Sequence, residues 1–132
     1  MKLKESESVG LKKSTGEMKD AVISIVSILN KHKAGKLYFG VSNRGQVLGQ
    51  EISEKTLRDI SQAVAESIEP KIYPSIRRIE ILGKTCVEVD FSGENQPYFA
   101  YGRAYVRVGD EDRQLSAREL ESFFLNNLTS PD

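Results

Sequence analysis

Residues 35–49, GKLYFGVSNRGQVLG, constrain this chain more than any other stretch. Leu37 to Val41 is a short apolar run with aromatic and β-branched members, which reads as a buried strand. Asn43-Arg44-Gly45 then supplies a tight turn, because Asn and Gly tolerate positive φ. Val47-Leu48 returns as a second short strand. A helical pattern ending in Lys31-His32-Lys33 precedes this unit, and a second helical pattern follows it. A chain so ordered has to pack helices on a sheet.

The flanking residues extend the pattern. Val9-Gly10-Leu11-Lys12 reads as a short edge strand. Ser14 and Glu17 have capping-box spacing and open a helix to about Lys33, with Met18, Ala21, Val22, Ile25, Val26, Ile28 and Leu29 on one broad face. Gly35 is expected to end it. Ser53 caps a second helix, whose Leu57, Ile60, Val64 and Ile68 form a stripe, and Pro70 stops it. Segments 77–82 and 85–91 read as a hairpin around Gly83-Lys84. Segments 97–101 and 103–108 follow as strands separated by Gly102. Asp110-Glu111-Asp112 reads as a solvated loop or a partner for Arg113. Ser116 and Glu119 form a second capping box, opening a last helix with Leu120, Phe123, Phe124 and Leu128 on its apolar side. The expected class is α+β: a mixed, mostly antiparallel sheet with about three helices. With 132 residues the chain fits one domain, taken as 1–128, with 129–132 as a tail or the start of a linker.

Composition sets bounds on function. The chain has 19 basic and 19 acidic side chains, so a nucleic-acid site has to come from local clustering. Cys86 is the single cysteine, lies in an alternating strand pattern, and reads as a small buried hydrophobe. One His and one Cys, far apart, argue against zinc. Gly40, Gly45 and Gly49 match neither the dinucleotide nor the P-loop spacing, so no cofactor is expected. Glu88 and Asp90 alternate with valines and are assigned to an exposed strand face. The sequence has no apolar run of membrane-spanning length and no signal-peptide core, which points to the cytoplasm.

The candidate binding residues are Lys12, Lys36, Arg44, Tyr101, Arg103 and Arg107. Lys12, Lys13, Lys31, Lys33, Lys36 and Arg44 crowd the first third of the chain; Tyr98, Tyr101, Arg103, Tyr105 and Arg107 fall near its end. On one shared face they would make a cationic groove with stacking rings. On separate faces they are solvated surface, and pattern alone leans toward that. Arg103, Tyr105 and Arg107 alternate, so with Val106 and Val108 turned inward Arg107 points outward, either to a phosphate or into a salt bridge with a sheet neighbour such as Glu88 or Asp90.

Several motifs, taken in order, resemble the Schlafen AlbA-like (divergent AAA-4, DNA-binding) domain. They are Glu-Ser-Glu-Ser-Val-Gly-Leu-Lys from Glu5, Leu-Tyr-Phe-Gly-Val with its Asn-Arg-Gly turn, and Val-Leu-Gly-Gln. Further along come Ile-Glu-Pro-Lys-Ile-Tyr-Pro, Gln-Pro-Tyr-Phe-Ala-Tyr-Gly-Arg and Ala-Tyr-Val-Arg-Val-Gly-Asp-Glu-Asp. The resemblance covers about Glu5 to Leu120. It implies a nucleic-acid-binding module of a bacterial transcriptional regulator, with DNA or RNA as partner, and admits a homodimer. In the eukaryotic branch the same fold cleaves transfer RNA with clustered acids. Glu5 matches the first of those acids, but Gly10, Ser42 and Asn43 stand where the others are expected. One carboxylate cannot hold a catalytic Mg²⁺, so the expectation is binding without catalysis. The alternatives are a metal-dependent nuclease or ATP-binding enzyme of the same fold, and a dimerisation or sensor module.

Overall fold

The residues from Ser24 to Asn30 are all buried, so the first helix is enclosed on every side and not on one face alone. It lies against strands of two separate sheets and against the second helix. The computed structural model describes residues 3–129, with side chains to residue 126. Leu128 and the tail from residue 130 therefore lie outside the described side chains.

The elements run β1 (Val9–Lys12), α1 (Met18–His32), β2 (Ala34–Phe39), α2 (Glu54–Ser67), β3 (Ile68–Glu69), β4 (Ser75–Ile81), β5 (Lys84–Ser92), β6 (Phe99–Ala100), β7 (Arg103–Val108), β8 (Glu111–Gln114) and α3 (Ala117–Thr129). One sheet has the order β1-β2-β5-β4 and the other β3-β6-β7-β8. β1 runs parallel to β2, joined by the α1 crossover, while the other pairings are antiparallel. The α+β class with three helices is as expected, with the strands divided between two sheets. Among the described residues, no helix is long and apolar enough to cross a membrane.

The main core joins Val22, Ile25 and Leu29 of α1 to Leu37, Val87, Val89 and Phe91 of the first sheet, and to Ile60 and Val64 of α2. Burial of each such side chain contributes about 1.5–3 kcal/mol. A smaller cluster of Leu11, Tyr38, Val41, Ile81 and Cys86 forms on the other face of that sheet. Cys86 is buried there, as its strand pattern predicts.

Several local readings change. Ser14 caps a single 3₁₀ turn by accepting from Gly16 N–H, while Glu17 reaches the Lys13 amide, so α1 begins at Met18. Lys33, and not Gly35, takes the left-handed position that closes α1, at φ 67°. Gly35 lies inside β2, where an added Cβ would stand 2.7 Å from the Ser8 carbonyl. Val47 forms only an isolated bridge to Val41, so no second strand follows the turn. The Asp110-Glu111-Asp112 segment is not all loop: Glu111 starts β8. Glu88 is buried, because Tyr38 donates to it at 2.9 Å and Arg77 grips it at 2.8 Å. Burial raises its pKa, but those partners and Lys36 outweigh burial and hold it below the usual range. Burial and this carboxylate together push the Tyr38 phenol up to about 12.

α3 depends on its first turn. Arg113 forks onto both Glu119 oxygens at 3.0 and 2.7 Å, and the Ser116 amide donates to Glu119 while Ser116 Oγ accepts from the Glu119 amide. Arg113 first, then Ser116, lowers the Glu119 carboxyl from 4.5 to about 2. A lowered folded pKa stabilises above the unfolded value and loses that support as pH falls toward the folded one. Amide protection in the first turn of α3 is therefore expected to fall between pH 4.5 and about 2. Glu119→Gln should lower that protection at neutral pH and remove the acid-dependent loss, read by hydrogen exchange.

Candidate nucleic-acid interface

β7 presents the opposite faces to those its valines suggest. Tyr105 packs against the main core and Arg107 is only 1% exposed, while Val108 is 51% exposed. The expectation of an outward Arg107 is therefore corrected. The physical reason is α1, which offers β7 a polar stripe. Asn30 donates to the Tyr98 and Tyr105 carbonyls at 2.9 and 2.7 Å and accepts from the Tyr98 amide. Ser24 donates to Asp112 at 2.6 Å. Asn30 thus holds the β7 backbone and Ser24 holds Asp112, the partner of Arg107, while Val106 is half-buried and Val108 is left exposed.

Among the described residues Arg107 makes four hydrogen bonds, all to oxygen. Its Nε donates to Ser6 O at 3.1 Å, Nη1 to Asp112 at 2.6 Å, and Nη2 to Glu5 at 3.2 Å and to Val9 O at 3.0 Å. Glu5 also accepts from the Leu11 amide. The guanidinium thus fastens residues 5–9 and the β7–β8 hairpin to each other.

This knot forms the floor of a cleft of about 190 Å³, lined by Glu5, Leu11, Lys12, Lys13, Glu17, Asn43, Arg107, Asp110 and Asp112. A second groove, of about 460 Å³, adjoins it at Asn43 and is lined by Leu3, Lys4 and Arg44 as well. Lys4, Lys12, Lys13 and Arg44 make no side-chain hydrogen bond or ion pair among the described residues. Of the four described acids that line the cleft, Asp110 is exposed and has no side-chain partner among the described residues, and the other three are engaged. Glu5 and Asp112 are committed to Arg107, and Glu17 to the Lys13 amide. The same described residues include no group of three His, Cys, Asp or Glu side chains arranged to hold a metal ion.

The structure brings together only some of the residues singled out in the sequence. Lys12 and Arg107 share the cleft, and Arg44 stands beside it. Lys36 lies elsewhere in the first sheet, 3.9 Å from Glu88. Tyr101 and Arg103 flank the β6–β7 turn, at the far end of β7 from Arg107. Tyr101 lines a groove with Glu66, Ser67 and Glu69, under the Lys19 ammonium at 5.8 Å. The Tyr101 groove and the Lys12 cleft share no described lining residue. Lys4 was missed, because a polar N-terminal segment gives no sign that Arg107 will pin it down.

The sequence matches the family described as Schlafen, AlbA_2, over residues 5–116. The chain belongs to that family. Among curated proteins none matches it. Among solved structures, the Schlafen AlbA_2 domain here is similar to the DIP2311 protein of Corynebacterium diphtheriae, at TM-score 0.71 and 17% identity. That match covers 96% of this chain and 25% of the Corynebacterium one, so this chain spans a quarter of its length. It is also similar to the N-terminal domain of an ATP-dependent DNA helicase RecG-related protein from Nitrosomonas europaea, at TM-score 0.58 and 20% identity over 86% of both chains. At these identities the likeness carries the fold.

Removing Arg107 would leave Glu5 and Asp112 facing each other across a partly dry gap. Truncating one partner of a buried ion pair costs about 3–5 kcal/mol. Urea unfolding of Arg107→Ala is expected to show a loss of that size, whereas exposed Arg103→Ala should stay within about 0.5 kcal/mol of the parent.

Proposed function

We propose that this domain is a non-catalytic nucleic-acid-binding module, holding phosphates on the rim formed by Lys12, Lys13, Arg44 and Lys4. One observation carries the reading: these four cations border two adjoining grooves and have no acidic partner among the described residues. An unpaired cation gives up no ion pair when it meets a phosphate. The carboxylates on the cleft floor repel an anion, so contact is confined to the rim and affinity is modest. Arg107 supports the rim by fixing residues 5–9, and is not itself a phosphate contact. The name of the Nitrosomonas neighbour, which relates it to a DNA helicase, agrees with nucleic acid as the ligand. A place within a larger regulator agrees with the long Corynebacterium chain that contains the same fold. Metal-dependent cleavage is disfavoured, since Glu5 and Asp112 already spend oxygens on a guanidinium.

Each phosphate contact adds roughly −0.9 to the log–log salt slope on duplex DNA. Fluorescence anisotropy across a salt series is expected to give a slope of about −2 to −4 for the parent chain. Lys12→Glu combined with Arg44→Glu should weaken binding by about tenfold or more and flatten the slope. Affinity indifferent to salt would overturn the proposal.

A further inference from the structure

The groove at residues 3, 4, 43 and 44 differs in character from the cleft beside it. The cleft is floored by charge. The groove has Leu3 along its wall, and Leu3 packs against the small core cluster behind it. Lys4, Asn43 and Arg44 surround that apolar surface, all exposed and without side-chain partners among the described residues. At about 460 Å³ it has room for a planar heterocycle.

The tip that carries Asn43 and Arg44 is rigid. Gly45 N–H donates to Ser42 O at 2.8 Å, Ser42 N–H to Gln46 O at 2.8 Å, and Gln46 N–H to Ser42 Oγ at 3.1 Å. Gly45 is held at φ 85° with the Leu3 carbonyl filling the space a Cβ would take, so the tip and the N-terminal segment close on each other. Two side chains of distinct chemistry are thus displayed on a fixed support. Asn43 offers paired donor and acceptor atoms, the complement of a base edge. Arg44 offers a flat cation that stacks on a π-face.

From this arrangement we propose that the Leu3–Asn43–Arg44 groove seats one unstacked nucleobase, making the domain a reader of single strands in preference to duplex. The inference rests on the phosphate-rim reading and deepens it. A strand whose phosphates follow Lys12 and Lys13 would pass Asn43, the residue common to both cavities, and turn a base into the groove. Within a duplex the bases are paired and stacked, so none is available to fill it.

The test uses the full chain and three labelled probes: an oligothymidine, a duplex of equal length, and an abasic oligomer with the same phosphates and no bases. The parent should bind oligothymidine about tenfold tighter than the abasic strand, and tighter than duplex. Asn43→Ala leaves all four rim cations in place and should erase most of the oligothymidine advantage while leaving abasic affinity and its salt slope unchanged. Equal parent affinity for oligothymidine and the abasic strand would overturn the base seat and leave the phosphate rim standing. An advantage that survives Asn43→Ala in full would also overturn it, by placing the base contact elsewhere. Failure of the parent to bind any probe would remove both readings.

Discussion

A guanidinium carries five N–H donors and cannot shed its charge, so it can be buried only where oxygens meet it from several directions. Arg107 is such a case. Two carboxylates and two backbone carbonyls supply that shell, and they come from residues 5, 6, 9 and 112. The shell continues outward, because Asp112 accepts from Ser24 of α1 and Glu5 from the Leu11 amide of β1. One side chain thereby sets the distance between the two sheets' adjoining strands at this end of the molecule. The cations of the rim stand on either side of it, and their spacing follows from that support.

Much of the fold could be read from residue types. The capping serines at 53 and 116 begin helices where their spacing places them, and Gly83 turns the β4–β5 hairpin. These signals are local, and the physics that produces them is complete within four or five residues. Readings failed where a distant partner decides. Nothing within β7 shows that α1 will offer Asn30 to its backbone and Ser24 to Asp112 of β8, so its inward face could not be chosen from alternation alone. Glu88 looks solvated in a valine-rich strand, yet Tyr38 and Arg77 from both neighbouring strands make its burial tolerable. β8 was hidden because an edge strand of Glu, Asp, Arg and Gln has no apolar alternation to detect.

The candidate site divides in the same manner. Lys12 and Arg44 are 32 residues apart in number, but the Lys12 carbonyl accepts from both Gly40 and Val41, bringing the turn beside the edge strand. Lys36, Tyr101 and Arg103 satisfy the same compositional argument and lie elsewhere, because basic and aromatic residues also serve ordinary surface. Composition nominates such residues, and the pairing of backbone segments decides which of them meet.

The N-terminal segment has a further consequence for how the chain is made. β1 cannot pair until β2 exists, since the two are parallel and α1 separates them. The contacts that pin residues 5–9 come from position 107, about a hundred residues later. Residues 5–9 are thus made about a hundred residues before the side chain that holds them. Until the β7 segment is made, residues 5–9 lack the guanidinium that fastens them. Contacts of such long sequence separation also slow folding, because a wide loop has to close before it is rewarded.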